Sequence, residues 1–148
     1  MDIAKSGFWI GVLLAVFCGA VIGLERQLKG KPAGIRTSIF ICLGTNLFIS
    51  LGLTHSGANV DITRVLGQVI TGIGFLGAGV IIARDGHVTG ITSASVIWIL
   101  AGIGAMIGFA HYVAAIIVML FTTVILIGIG LLENRVAFLR KGVHSQKE

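Results

Sequence analysis

The sequence predicts an all-α fold: a polytopic membrane bundle of five transmembrane helices, N-terminus outside and C-terminus inside. Three observations lead there. Hydrophobic residues fill 55% of the 148 positions and charged residues only 11%, with a mean hydropathy of +1.01, far from the averages of soluble domains. Five apolar runs recur along the chain, at residues 8–24, 38–53, 65–83, 91–110 and 113–132, against the roughly 20 residues a helix needs to cross about 30 Å of hydrocarbon. The basic residues stand between these runs and in the tail. The net charge of +5 and pI near 9.8 therefore express membrane topology, and no nucleic-acid partner is expected.

The first run repeats small residues every fourth position, Gly7, Gly11, Ala15, Gly19 and Gly23, a ridge on which a second backbone can approach closely. It is not a signal peptide, because Arg26, Lys29 and Lys31 follow the apolar core instead of preceding it. Gly30, Pro32 and Gly34 then break the chain before the second run. That run holds Asn46, whose amide needs a hydrogen-bond partner inside a bilayer. The longest connection, HSGANVDITR, ends with Asp61 placed to cap the third helix.

The third run contains TGIGFLGAG, in which Gly72, Gly74 and Gly77 have the G-x-G-x-x-G spacing of a dinucleotide loop. That reading fails, because the glycines sit inside an apolar run and the acidic residues after them are Asp85, eight positions on, and then Glu133. As a membrane helix, Gly67, Thr71, Gly74 and Ala78 form one small stripe and Gln68, Gly72, Gly79 and Ala83 a second, with Val69, Ile73, Leu76 and Val80 between them. Two neighbours are expected on the small faces. Asp85-Gly86 is a turn signal that returns the chain antiparallel. The fourth run places Ala94, Ala101, Gly104, Ala105 and Gly108 on one side, and the fifth is bulky and peripheral. A five-helix domain over 1–134 and a short basic tail over 135–148 result, with any surplus small face open to a homodimer.

Of the 11 Lys and Arg residues, placing the first loop inside puts Arg26, Lys29, Lys31, Arg36, Arg84, Arg135, Arg140, Lys141 and Lys147 in the cytoplasm and leaves Lys5 and Arg64 outside. Trp9 and Tyr112 then fall at the outer interface, as an aromatic belt requires. His55 and His111 are wet loop residues on the same side, and the tail holds anionic headgroups.

The run GIGFLGAGVI, together with GLERQ at 23–27, GIRT at 34–37 and GITSAS followed by Trp98, resembles the MgtC/SapB family of bacterial inner-membrane proteins. The resemblance spans nearly all five runs. The family pattern of an acid-arginine pair after helix one, an arginine before helix two, an Asp and an Arg ahead of helix three and a Thr-rich start to helix four falls here on Glu25 with Arg26, Arg36, Asp61 with Arg64, and Thr92 with Ser93. Ile91, Ser93 and Ser95 replace residues of the usual G-L-T-T-A-A stretch with little change in hydroxyl chemistry. Longer members carry a soluble domain after helix five, so functions resting on it are not carried over. The resemblance implies a multi-pass protein of the bacterial inner membrane, associated with adaptation to low magnesium, acid stress and survival inside host cells.

Glu25, Arg26 and Arg36 form a candidate cluster at the inner end, which either gates a path, holds a partner or fixes the loop. Asp61, Arg64 and Gln68 form a second at the outer end, as a cavity mouth or as a cap with a helix-end ion pair. Thr89, Thr92, Ser93 and Ser95 either satisfy backbone groups or line a crevice. Cys18 and Cys42 lie in apolar runs without metal-ligand spacing, so no disulfide or cofactor is expected. Candidate nucleophiles lack a nearby base, which argues against an enzyme. Two function classes remain, a regulator contacting another membrane protein and a magnesium or other cation transporter, with the metal question open because Glu25 and Asp61 are expected at opposite faces. The topology predicts that an alkaline phosphatase fused between Arg84 and His87 is inactive and that a fluorescent protein fused to the C-terminus is bright; an active phosphatase there would invert the orientation.

Overall fold

The computed structural model describes residues 6–54, 61–84 and 87–135. Helices α1 (Ser6–Leu28), α2 (Ile35–Thr54), α3 (Ile62–Ala78), α4 (Ile91–Gly108) and α5 (Tyr112–Arg135) form an all-α bundle, joined by one small hairpin of β1 (Ile82–Arg84) and β2 (His87–Thr89). The expected residues His55, Asp85 and Gly86, and those of the tail from 136 onward, lie outside the described residues.

Successive helices run antiparallel. Gly19 and Gly23 of α1 face Ile39 and Ile35 of α2, while Gly11 faces Asn46 nearer the other end. Arg26 at the end of α1 reaches Ser93 at the start of α4, and the Tyr112 hydroxyl at the start of α5 donates to the Gly7 carbonyl over 3.4 Å. The starts of α1, α3 and α5 thus share one end of the bundle with the ends of α2 and α4.

The core is tight because backbones meet directly. A Cβ at Gly19 would stand 2.6 Å from Ile39 Cα, and one at Gly23 2.6 Å from Ile35 Cα. From the other side, a Cβ at Gly104 would meet the Cys42 carbonyl, and one at Gly108 would lie 2.7 Å from Ile49 Cβ. Glycine at these positions lets α1 and α4 grip α2 at backbone distance, the usual route to helix association where water drives nothing together. Cys18, Ile22, Cys42, Ile49, Leu100, Ile103 and Ile107 fill the spaces that remain. Both cysteines are buried and free, and the Cys42 thiol donates to the Leu100 carbonyl over 3.2 Å.

The loop between α1 and α2 is closed by Gly30. Its φ of +62° accompanies bonds from Lys31 N–H to the Arg26 carbonyl and from Gly30 N–H to the Gln27 carbonyl, the paired cap that ends a helix with a left-handed residue.

The third run differs from expectation. Its helix stops at Ala78, and residues 82–84 become a strand pairing antiparallel with 87–89, Ile82 opposite Thr89 and Arg84 opposite His87. β-branched Ile82, Val88 and Thr89 suit that pairing, and Gly90 with φ +90° lets the chain pass against the Val80 carbonyl, where a side chain would collide. Gly79 and Ala83 therefore do not continue the helical stripe. At 17 residues α3 spans about 25 Å at 1.5 Å per residue, whereas the other four helices have the length and apolarity of full spans.

The expected close packing of both small faces of α3 is also revised. Gly67, Gly72 and Gly74 have no neighbouring chain within 4 Å, and Gly79 meets only the carbonyls of Phe75 and Leu76, in its own last turn. Gly77 alone of the TGIGFLGAG glycines faces another helix: a Cβ there would lie 3.8 Å from Ala94 Cβ. The cause is splay: α3 touches α2 at Gly52, where Ile62 and Val65 crowd in, and then leans to α4.

Overpacking at backbone distance costs about 1–3 kcal/mol. Gly19→Ala and Gly108→Ala should each lower stability in detergent by that amount, read as a fall in the thermal unfolding midpoint, while Gly74→Ala should leave the midpoint in place; an equal loss from Gly74→Ala would show that its face is covered.

Candidate functional site

Four polar residues follow one another closely at the end of α1: Glu25, Arg26, Gln27 and Lys29. Each successive residue turns by about 100° around the helix, so Glu25, Arg26 and Gln27 point in different directions, while Glu25 and Lys29, four apart, share one side. Arg26, Gln27 and Lys29 each reach a different helix. Arg26, 3% exposed, donates from its guanidinium to Ser93 Oγ of α4 at 2.5 Å. Gln27 Oε1 accepts from the N–H of Ile35, the first residue of α2, at 3.3 Å. Lys29 Nζ donates to the Leu126 carbonyl of α5 at 2.8 Å, where Gly130 leaves the room: a Cβ there would be 2.7 Å from the ammonium.

Glu25 completes the cluster. Its carboxylate is 7% exposed, and Lys29 Nζ lies 2.7 Å from Oε1. That contact is an ion pair without hydrogen-bond alignment, since neither carboxylate oxygen has a hydrogen-bond partner among the described residues, nor has the buried Arg26 Nε. Buried charge is costly unless compensated, and breaking one partner leaves the other uncompensated. One acid and two bases thus bind the end of α1 to α4 and α5, and the cluster carries a net positive charge.

The remaining sequence candidates fall apart from this cluster. Arg36 is exposed at the start of α2, and the cation facing Glu25 is Lys29 instead. The family acid-arginine pair lies inside α1 rather than after it. Thr92 is exposed while Ser93 is buried, and Ser95 Oγ donates back to the Ile91 carbonyl at 3.0 Å. Asn46 is 3% exposed in the middle of α2, flanked by Gly11 and Gly108, and its Oδ1 accepts from Ser50 Oγ at 3.4 Å.

At the opposite end, Asp61 is the N-cap of α3, accepting from Thr63 N at 2.9 Å and Thr63 Oγ1 at 2.7 Å. These bonds to the charged form hold its carboxyl below the ordinary range. Arg64 and Gln68 do not join Asp61 in a cavity mouth; they line a groove between α2 and α3. Glu25 and Asp61 stand at the two ends of the bundle, as their helix positions require.

The pattern of the MgtC family matches residues 12–135. The chain belongs to the MgtC family. It is 44% identical over 110 residues to "Putative magnesium transporter YhiD" of Escherichia coli K12, covering 68% of this chain and 50% of that protein. It is 38% identical to "Protein SrpB" of Synechococcus elongatus, covering 92% and 84%, and 38% identical to "Protein MgtC" of Salmonella typhimurium, covering 79% and 51%. The chain thus spans about half the length of the YhiD and MgtC relatives. No solved structure matches it. Membership agrees with the four apolar helices in making this a multi-pass membrane protein.

Gln27 and Lys29 were missed as site residues, although the run of polar residues on all sides of one helix end was a signal that each needed a separate partner. Losing a partner from a buried charged donor costs about 1–3 kcal/mol. Ser93→Ala should destabilise by that amount, and Ser93→Ala with Arg26→Met by less than the sum of the two single changes; additive losses in thermal unfolding would show the pair to be uncoupled.

Proposed function

We propose that this MgtC-family chain is a regulatory protein of the bacterial inner membrane, acting through contacts with other membrane proteins in adaptation to low magnesium or to acid and intracellular stress. The observation that carries this over transport is the state of the two carboxylates. Magnesium sites use oxygen ligands, commonly one or two carboxylates with retained waters. Glu25 already faces the Lys29 ammonium at 2.7 Å, and Asp61, at the other end of the bundle, is engaged in capping α3. A cation entering at Glu25 would have to displace Lys29 and approach Arg26. The family's association with magnesium and stress supports the setting of the function, not its chemistry.

A magnesium or other cation transporter is the second reading, favoured by the name of the Escherichia coli relative and by the two Glu25 oxygens, which lack hydrogen bonds among the described residues. Flux into liposomes separates the two. Purified protein is expected to give no magnesium uptake above protein-free vesicles. Uptake abolished by Glu25→Ala or Asp61→Ala would establish transport instead.

A further inference from the structure

The splay of α3 opens a groove of 990 Å³ between α2 and α3. That volume lies at the upper end of the roughly 300–1,000 Å³ of small-molecule sites. Along most of its length the walls are hydrocarbon: Phe40, Phe48, Ile73 and Leu76 project beside Gly44 and Gly72, where no side chain intrudes. Phe40 and Phe48 are 68% and 61% exposed, so these rings are not covered by the rest of the chain.

The charge in this groove is at one end. Arg64, in the first turn of α3, is its single ionisable lining residue, with Gln68 one turn deeper. Among the described residues, Arg64 has no side-chain hydrogen bond or ion pair. Asp61, three residues before it, interacts electrostatically with Arg64, but its carboxylate is hydrogen-bonded to Thr63 and does not line the groove. Residues 55–60, between α2 and α3, contain no acid. A guanidinium at the boundary of a membrane span, above an apolar channel open to the bilayer, asks for an anionic head with a hydrocarbon tail.

We infer that the α2–α3 groove is a binding site for an anionic phospholipid, with an acyl chain lying along Phe40, Phe48 and Leu76 and the phosphate on Arg64. Arginine suits this role because its planar fork bonds phosphate oxygens in pairs. Gly44 and Gly72 give the chain its depth.

Native mass spectrometry of the whole protein, extracted from vesicles of equal phosphatidylglycerol and phosphatidylcholine, tests the assignment. Retained phosphatidylglycerol should exceed phosphatidylcholine by about five-fold, what one basic side chain is worth at an anionic headgroup. The preference should vanish in Arg64→Gln, survive in Arg64→Lys, and survive in Lys31→Gln at the opposite end of the bundle. Gly72→Leu, which fills the groove without touching the charge, should reduce retention of both lipids, with circular dichroism confirming the fold. Equal retention of the two lipids, or a preference lost in Lys31→Gln rather than Arg64→Gln, would overturn the site. So would a dimer cross-linked through Phe48→Cys, which would assign the groove to a second copy.

Discussion

Everything in this bundle depends on the contact of α2 with two glycine ridges. Gly19 and Gly23 press from α1 and Gly104 and Gly108 from α4, each at a place where a single added carbon would collide with backbone or with the stem of a β-branched side chain. In hydrocarbon there is no gain from hiding leucine, so association rests on close dispersion contact and on backbone proximity. The helix held between these ridges contributes the buried polar groups Ser38, Thr45 and Asn46 to its neighbours. The bonds of Ser38 and Asn46 stay local, from Ser38 to the Ala33 carbonyl and from Ser50 to Asn46, so polar groups of α2 can be buried between the two ridges.

The charged end of α1 is a consequence of that packing. Once α1 is seated against α2, its last turns are surrounded by α2, α4 and α5; Arg26, Gln27 and Lys29 each reach one of them, and Glu25 pairs with Lys29. An unpaired charge there would be destabilising, and the structure answers with Ser93, the Leu126 carbonyl and the Glu25–Lys29 pair. The same turn both closes the bundle and concentrates its buried charge. This is why a structural role and a functional one coincide in the same residues, and why carboxylate chemistry toward an external cation competes here with an internal ammonium.

Helix α3 follows a different logic. It is shorter than its neighbours, is tied at one end to Gly52 and at the other to Ala94, and ends in a hairpin whose turn to α4 needs Gly90. The residues that bring it against a neighbour are Ile62, Val65 and Gly77, while Gly67, Gly72 and Gly74 face open space. Small residues in a membrane helix therefore mark two situations that look alike in sequence: a backbone already met, as at Gly19, and a depression left for something outside the chain, as at Gly72.

The chain's own pattern determined the helical class, the order of the helices, the capping by Asp61 and the ridge Gly11, Gly19 and Gly23. These follow from local properties, namely hydrophobic run length, a four-residue period and a side chain that bonds two residues onward. Separation of Glu25 from Asp61 was also legible, because alternate ends of antiparallel helices are fixed by counting. Only the tertiary structure decided that Lys29 rather than Arg36 faces Glu25, that Ser93 rather than Thr92 receives Arg26, and that the residues after Ala78 leave the helix. Each of these depends on which neighbour occupies a given side of a helix, and periodicity states the side without naming the neighbour.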